Sequence, residues 1–242
     1  MPISPGPPPR SSGRNRQMTN PDIARFPMRL PPLLSVISGM VDVTGFVSLK
    51  LFTAHVTGNL VVIAALLVRG GPPNVAEILA VPVFLFAVAA VWLIAKVSQR
   101  RGPALARPLL LVQFLLLTCV LIFSVIYDPA ANPHGLMADV IAMFAVSAMA
   151  CQFALLRLAV PGGAPSTAVM TGNLTNTVLS LLDTLSGGEP LMKGPKERLD
   201  KTVQLVGGFF AGCLAGAAAV SWLGEWSWSL PAVLAGVAVG LG

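Results

Sequence analysis

Four polar side chains stand in apolar surroundings: the carboxylate of Asp42, the imidazole of His55, and the amides of Asn59 and Gln152. An ionisable group inside such a stretch serves ion pairing, proton relay or substrate contact. The competing reading of Asp42 is a carboxylate satisfied by Thr or backbone N–H groups at a kink, since Gly39, Thr44 and Gly45 flank it. His55 is placed either to titrate near neutral pH or to bond Asp42 across a turn. A satisfied interfacial histidine is the plainer alternative. Gln152 is the neutral counterpart in the second half of the chain, and one ionisable plus one neutral member suits a proton-coupled or asymmetric site.

Asn59 belongs to a string that occurs twice. Thr53-Ala54-His55-Val56-Thr57-Gly58-Asn59-Leu60 returns as Thr167-Ala168-Val169-Met170-Thr171-Gly172-Asn173-Leu174, six identities in eight positions at an offset of 114. Thr57, Gly58 and Asn59, with Thr171, Gly172 and Asn173, put polar groups into apolar segments, where they need hydrogen bonds or a cavity. The string reads as a helix start: Thr57 or Asn59 as N-cap, with Gly58 allowing a tight turn or a close backbone approach. A helix N-terminus at membrane midplane would present free N–H groups and partial positive charge to an anion or polar solute. The alternative is that these residues only join helices, because small and polar residues are enriched at membrane helix contacts. Ser38-Gly39-Met40-Val41-Asp42 corresponds more weakly to Ser147-Ala148-Met149-Ala150-Cys151, in the helix before each string.

The elements that position these residues follow from composition. Hydrophobic residues make up 55% of the chain, charged residues 11%, and mean hydropathy is +0.77. Soluble domains carry about 25% charged residues, so an all-α polytopic membrane bundle is indicated. Residues 1 to 29 are rich in Pro, Ser, Gly and Arg and form a disordered tail with no cleavable signal. Residues 30 to 242 form one membrane domain made of repeat one (30 to 127) and repeat two (136 to 242). Apolar segments fall at 31 to 49, 53 to 68, 76 to 97, 107 to 127, 136 to 158, 167 to 185, 202 to 223 and 227 to 242. Against the roughly 20 residues of a full crossing, the second and last are short.

Charge in the loops sets the number of crossings. The tail, the Lys96/Arg100/Arg101/Arg107 loop and the Lys193/Lys196/Arg198/Lys201 loop are basic and should be cytoplasmic; the loops around Asp128 and Glu225 should be external. Parity then leaves one of segments one to three, and one of five and six, unable to span. Segments two and six, which carry Thr-Gly-Asn, are the economical choice. The expectation is six full crossings plus two short or re-entrant helices in inverted halves, with eight crossings as the alternative. The net charge of +6 thus orients the chain and does not mark a nucleic-acid partner. Trp222, Trp226 and Trp228 read as an aromatic belt, and Gly208, Gly212 and Gly216 as a face for close helix contact. Arg157 and Lys50 read as snorkelling residues near helix ends.

The strings Ser38-Gly39-Met40-Val41-Asp42-Val43-Thr44-Gly45-Phe46, His55-Val56-Thr57-Gly58-Asn59, Ala148-Met149-Ala150-Cys151-Gln152 and Val169-Met170-Thr171-Gly172-Asn173-Leu174 resemble the YoaK family. These are bacterial multi-pass membrane proteins, known as domain of unknown function 1275. The resemblance covers about residues 30 to 242. Where the family pattern has Gly and Asn around its second-half Gln, this chain has Ala150 and Phe153. The resemblance implies an integral inner-membrane protein and supplies no substrate.

Enzymatic motifs are lacking: no nucleophile constellation, phosphate loop, paired carboxylates or metal spacing is visible, and Cys119, Cys151 and Cys213 read as core residues. No catalytic residue, metal or cofactor is therefore expected. The functional expectation is a channel or secondary transporter of a small polar or anionic solute in the bacterial inner membrane, N-terminus cytoplasmic. Its site residues would be Asp42, His55, Thr57, Gly58, Asn59, Gln152, Thr171, Gly172 and Asn173. The alternative is a non-transporting scaffold or interaction protein. The lipid bilayer is the expected partner, and a homo-oligomer is compatible with the sequence.

Overall fold

The computed structural model of the chain describes residues 29–70, 74–98, 103–159, 170–186, 191 and 194–242. Among them are eight α-helices: α1 (Leu30–Leu49), α2 (Thr57–Arg69), α3 (Val75–Ser98), α4 (Pro103–Tyr127), α5 (Leu136–Ala159), α6 (Met170–Ser186), α7 (Pro195–Leu223) and α8 (Ser229–Leu241). A 3-10 turn, Gly224–Trp228, joins α7 to α8. Nearly all the tail read at 1 to 29, and Thr167–Val169 of the second string, lie outside the described residues.

Five stretches are long and apolar enough to cross a membrane: Leu30–Leu49, Val75–Ser98, Ala104–Tyr127, Leu136–Leu158 and the 47-residue Pro195–Leu241, which takes in α7, the 3-10 turn and α8. Thr57–Arg69 is apolar but shorter. Large apolar side chains such as Val61, Val68, Phe86, Leu182 and Phe210 are exposed on the outside of the bundle. In water such a surface would drive association; against lipid it is the ordinary outer face of a membrane protein.

Several boundaries differ from those read in the sequence. The α2 helix starts at Thr57 and not at 53, because Thr53–His55 bond to Asp42 instead of continuing a helix. α7 starts at Pro195 and not at 202: Pro fits the first helical turn, and Lys196, Glu197, Arg198 and Lys201 prolong the helix beyond its apolar part. α4 likewise begins at Pro103. Trp228 is fully buried, so only Trp222 and Trp226 stand exposed as the aromatic belt requires.

Helix directions follow from the contacts at their ends. The 3-10 turn packs on α1, α4, α7 and α8, and its Glu225 lies beside Ser48, Asp128 and Ala130. That end of the bundle is called upper here. α1, α4 and α7 run up to it, while α5 and α8 leave it. Asn74, just before α3, donates from Nδ2 to the Pro133 carbonyl at 3.3 Å, so α3 also starts at the upper end. Gly242, after α8, meets Leu110 and Ala106 near the start of α4, at the lower end.

α1 packs most extensively on α7, and the two run parallel. Gly208, Gly212 and Gly216 face Pro32, Val36 and Met40 in register, giving the close approach expected of that glycine series. A Cβ on Gly212 would come 2.1 Å from the Val36 carbonyl oxygen, and one on Gly39 of α1 would come 2.2 Å from that of Phe209. Backbone lies against backbone there, and no side chain fits between. Other neighbours are α3 with α5, α4 with α5 and α8, α8 with α1, α2 with α3, α6 with α7, and α1 with α5.

Candidate functional site

The centre of the site is the chain's return after α1. Lys50 takes a left-handed conformation (φ 60°) that ends the helix, and residues 51–56 turn back along it. Asp42 sits seven residues before the end of α1, about 10 Å inside the bundle by helical rise. Its Oδ1 accepts the backbone N–H groups of Thr53 at 3.0 Å, Ala54 at 2.8 Å and His55 at 3.2 Å. Its Oδ2 pairs with Nδ1 of His55. The Thr53 hydroxyl donates to the Val41 carbonyl at 3.0 Å. Gly45 makes the return possible, since a Cβ there would lie 2.7 Å from Thr53 Cγ2.

Asp42 thereby fills an anion position just ahead of α2, near the helix start whose N–H groups the sequence reading offered to a solute. Three successive N–H groups converge on one carboxylate oxygen, which is how backbone binds an anion, and the chain supplies that anion itself. The satisfied reading of Asp42 and the bond from His55 across the turn both hold in this structure.

Asn59 is not an N-cap, and neither is Thr57. Val56 occupies the cap position without a side-chain bond, and Thr57 is the exposed first helical residue. The Asn59 side chain, fully buried, reaches back to Phe52: Oδ1 accepts its N–H at 2.8 Å and Nδ2 donates to its carbonyl at 2.8 Å. The first turn is closed by backbone bonds, Gly58 N–H to His55 and Asn59 N–H to Val56. Gly58 lies under the Phe52 ring, where a Cβ would come 2.9 Å from the ring carbon Cδ2.

A second polar group lies one turn lower on α1. Gln152 of α5, fully buried, donates from Nε2 to the Ser38 hydroxyl at 2.7 Å and to the Leu34 carbonyl at 2.9 Å. Its Oε1 accepts from Nε2 of Gln113 on α4 at 2.7 Å. Oε1 of Gln113 is buried with no hydrogen-bond partner. Ser38 and Asp42, four residues apart, share a face of α1 and stack the two groups one above the other.

The structure therefore brings together Asp42, His55, Gly58 and Asn59 at the return, and sets Gln152 beside them through Ser38. Thr171, Gly172 and Asn173 lie in the first turn of α6, with Asn173 buried, Thr171 exposed and Nδ2 of Asn173 4.0 Å from Met170 Sδ. The sequence reading missed Gln113. Its signal was a lone amide in the apolar run Leu109–Leu117, as legible as Gln152 but outside any repeated string. No group of three or more metal-ligating side chains occurs among the described residues.

A family described as "Protein of unknown function (DUF1275)" matches residues 30–241. No curated protein and no solved structure matches. The chain belongs to the DUF1275 family, whose description assigns no function.

Proposed function

We propose that the chain is a secondary transporter of a small polar solute in the bacterial inner membrane, built from two inverted halves. The observation that carries this reading is a buried polar cluster at the contact between α1 and α5. There Gln113 keeps an unpartnered acceptor beside Gln152 and Ser38. A bare buried acceptor costs about 1–3 kcal/mol, an expense natural cores avoid unless water or a ligand fills it.

The arrangement of neighbours supports two halves. Exchanging α1 with α5, α2 with α6, α3 with α7 and α4 with α8 turns every packed helix pair into another packed pair. α1 on α7 corresponds to α3 on α5, and α2 on α3 to α6 on α7. The directions of exchanged partners oppose each other: α1 and α4 run up where α5 and α8 run down, and α3 runs down where α7 runs up. Inverted repeats of this kind place their substrate site where the halves meet, which is where α1 meets α5.

Two features support six crossings with α2 re-entrant. α2 begins at the depth of Asp42 and leads to Asn74 at the upper end, from which α1 had just arrived. Arg29, Lys96, Arg107, Lys196, Arg198 and Lys201 gather at the lower end, which by the positive-inside tendency supports that end as the cytoplasmic one. With Asp42 already holding the backbone N–H groups of the return, the open acceptor of Gln113 favours an uncharged solute carrying N–H or O–H donors over an anion.

A second reading has its own support. Asp42 and Asn59 have every polar group bonded within the protein, as a non-transporting scaffold would have it. Solute uptake into proteoliposomes separates the two. The transporter gives saturable uptake of at least one uncharged amide, polyol or amino acid, and Gln113→Leu weakens its apparent affinity. A folded protein without uptake across the whole panel is a scaffold.

A further inference from the structure

We infer that the His55–Asp42 pair binds one proton, entering at Nε2 of His55, and that this proton is the coupling ion of the transporter. The coupling role rests on the transport reading; the proton site stands on geometry alone. An ionised carboxylate only accepts hydrogen bonds, so the ring nitrogen facing Asp42 Oδ2 carries a hydrogen. In the neutral imidazole that leaves Nε2 with its lone pair and no hydrogen-bond partner among the described residues. The side chain of His55 is 28% exposed and that of Asp42 7%. The carboxylate of the pair is enclosed, and the imidazole is its exposed side.

The surroundings leave the pair to itself. From α7, Phe209 meets the imidazole edge-on with ring centroids 5.1 Å apart, and Cys213 lies near Asp42. From the return come the backbone N–H groups of Thr53 and Ala54. Lys50 turns away to the Val47 carbonyl. Among the described residues no Lys or Arg lies within ion-pairing distance of Asp42.

Charge then changes by one. Without the added proton the pair carries the single negative charge of Asp42; a proton from water taken on the Nε2 lone pair makes an imidazolium–carboxylate pair of no net charge. Carrying a net charge through the apolar part of a membrane is expensive, and moving a neutral pair is much less so. Asp42 sits on α1 and His55 on the return that follows it, so taking up the proton removes the net charge these two elements otherwise hold beside α7; a proton bound together with the solute on one side of the membrane is given back to water on the other.

Only two histidines occur in the chain, and His134 is at the upper loop, so His134→Asn leaves one imidazole to observe. Nitrogen-15 spectra of histidine-labelled His134→Asn protein in lipid nanodiscs, recorded from about pH 8 to 5, read both ring nitrogens. Nδ1 is expected to stay protonated throughout, while Nε2 gains its proton on acidification. A bare Nδ1 at the alkaline end, or no change at Nε2, overturns the inference. His55→Gln, which keeps a donor for Asp42, should lower proton uptake by one per chain over the same interval; equal uptake overturns it too. Transport reading and proton site fail separately: solute uptake without current, with the expected spectra, removes the coupling role alone, uptake with contrary spectra removes the proton site alone, and no uptake with the expected spectra removes the transport reading and leaves the proton site.

Discussion

Asn59 pairs with both backbone groups of Phe52, seven residues earlier, as a neighbouring strand would: N–H to Oδ1 and carbonyl to Nδ2, each at 2.8 Å. The irregular return from α1 to α2 has no ladder of its own, and in an apolar environment its backbone must find partners elsewhere. Asn59 and Asp42 supply them from either side.

Asn59→Ala strips two part-buried backbone groups of Phe52 of their partners, and the expected loss is about 1–3 kcal/mol in all. Asn59→Asp keeps the acceptor for the Phe52 N–H and sets a second acceptor against the carbonyl, so it should be no better. Unfolding in detergent, followed by circular dichroism, measures both. Wild-type stability in either variant would deny the pairing its role.

The α1–α7 contact has no room for side chains. Gly212→Ala forces a Cβ against the Val36 carbonyl and should cost about 1–3 kcal/mol. Gly207, in the same helix, has nothing within 4 Å of the same position, so Gly207→Ala should stabilise α7 by about 0.5–1 kcal/mol. Paired melting temperatures test the contrast, and two shifts of like sign would contradict the packing.

Gln113 and Gln152 form a unit. Gln152→Leu leaves the Gln113 amide wholly bare, at about 1–3 kcal/mol. Gln113→Leu/Gln152→Leu removes both and should recover part of that loss. A double-mutant cycle on unfolding free energies reads the coupling directly, and additive losses would mean the two amides act independently.

Much of this was legible in the sequence, and the reasons for the remainder are physical. Asp42 and Asn59 declared themselves as polar groups in apolar segments, and the repeat marked the region where α2 begins, although the cap falls at Val56 and not at Thr57 or Asn59. The role of Asn59 was not legible, because local capping logic looks forward along the helix while its partner lies behind, in a segment with no regular structure. The depth of α7 was missed because apolar periodicity sees only the part of a helix that faces lipid or core, and Lys196–Lys201 is charged. Gln113 was overlooked because its importance lies in contact with a residue 39 positions away.

Topology is open to direct labelling. In a background without Cys119, Cys151 and Cys213, Arg69→Cys and Ser186→Cys are exposed positions at the ends of α2 and α6. Six crossings in inverted halves require them to react with an impermeant maleimide from opposite sides of the membrane. Reaction from the same side would favour eight crossings.

The central claim is that a small polar solute passes where α1 meets α5. Uptake of labelled uncharged amides, polyols and amino acids into proteoliposomes carrying the full chain tests it most directly. The account predicts saturable uptake of at least one solute, reduced about tenfold in apparent affinity by Gln113→Leu, the equivalent of one lost hydrogen bond. No uptake across the whole panel by protein that unfolds cooperatively, or uptake indifferent to Gln113→Leu, would contradict it.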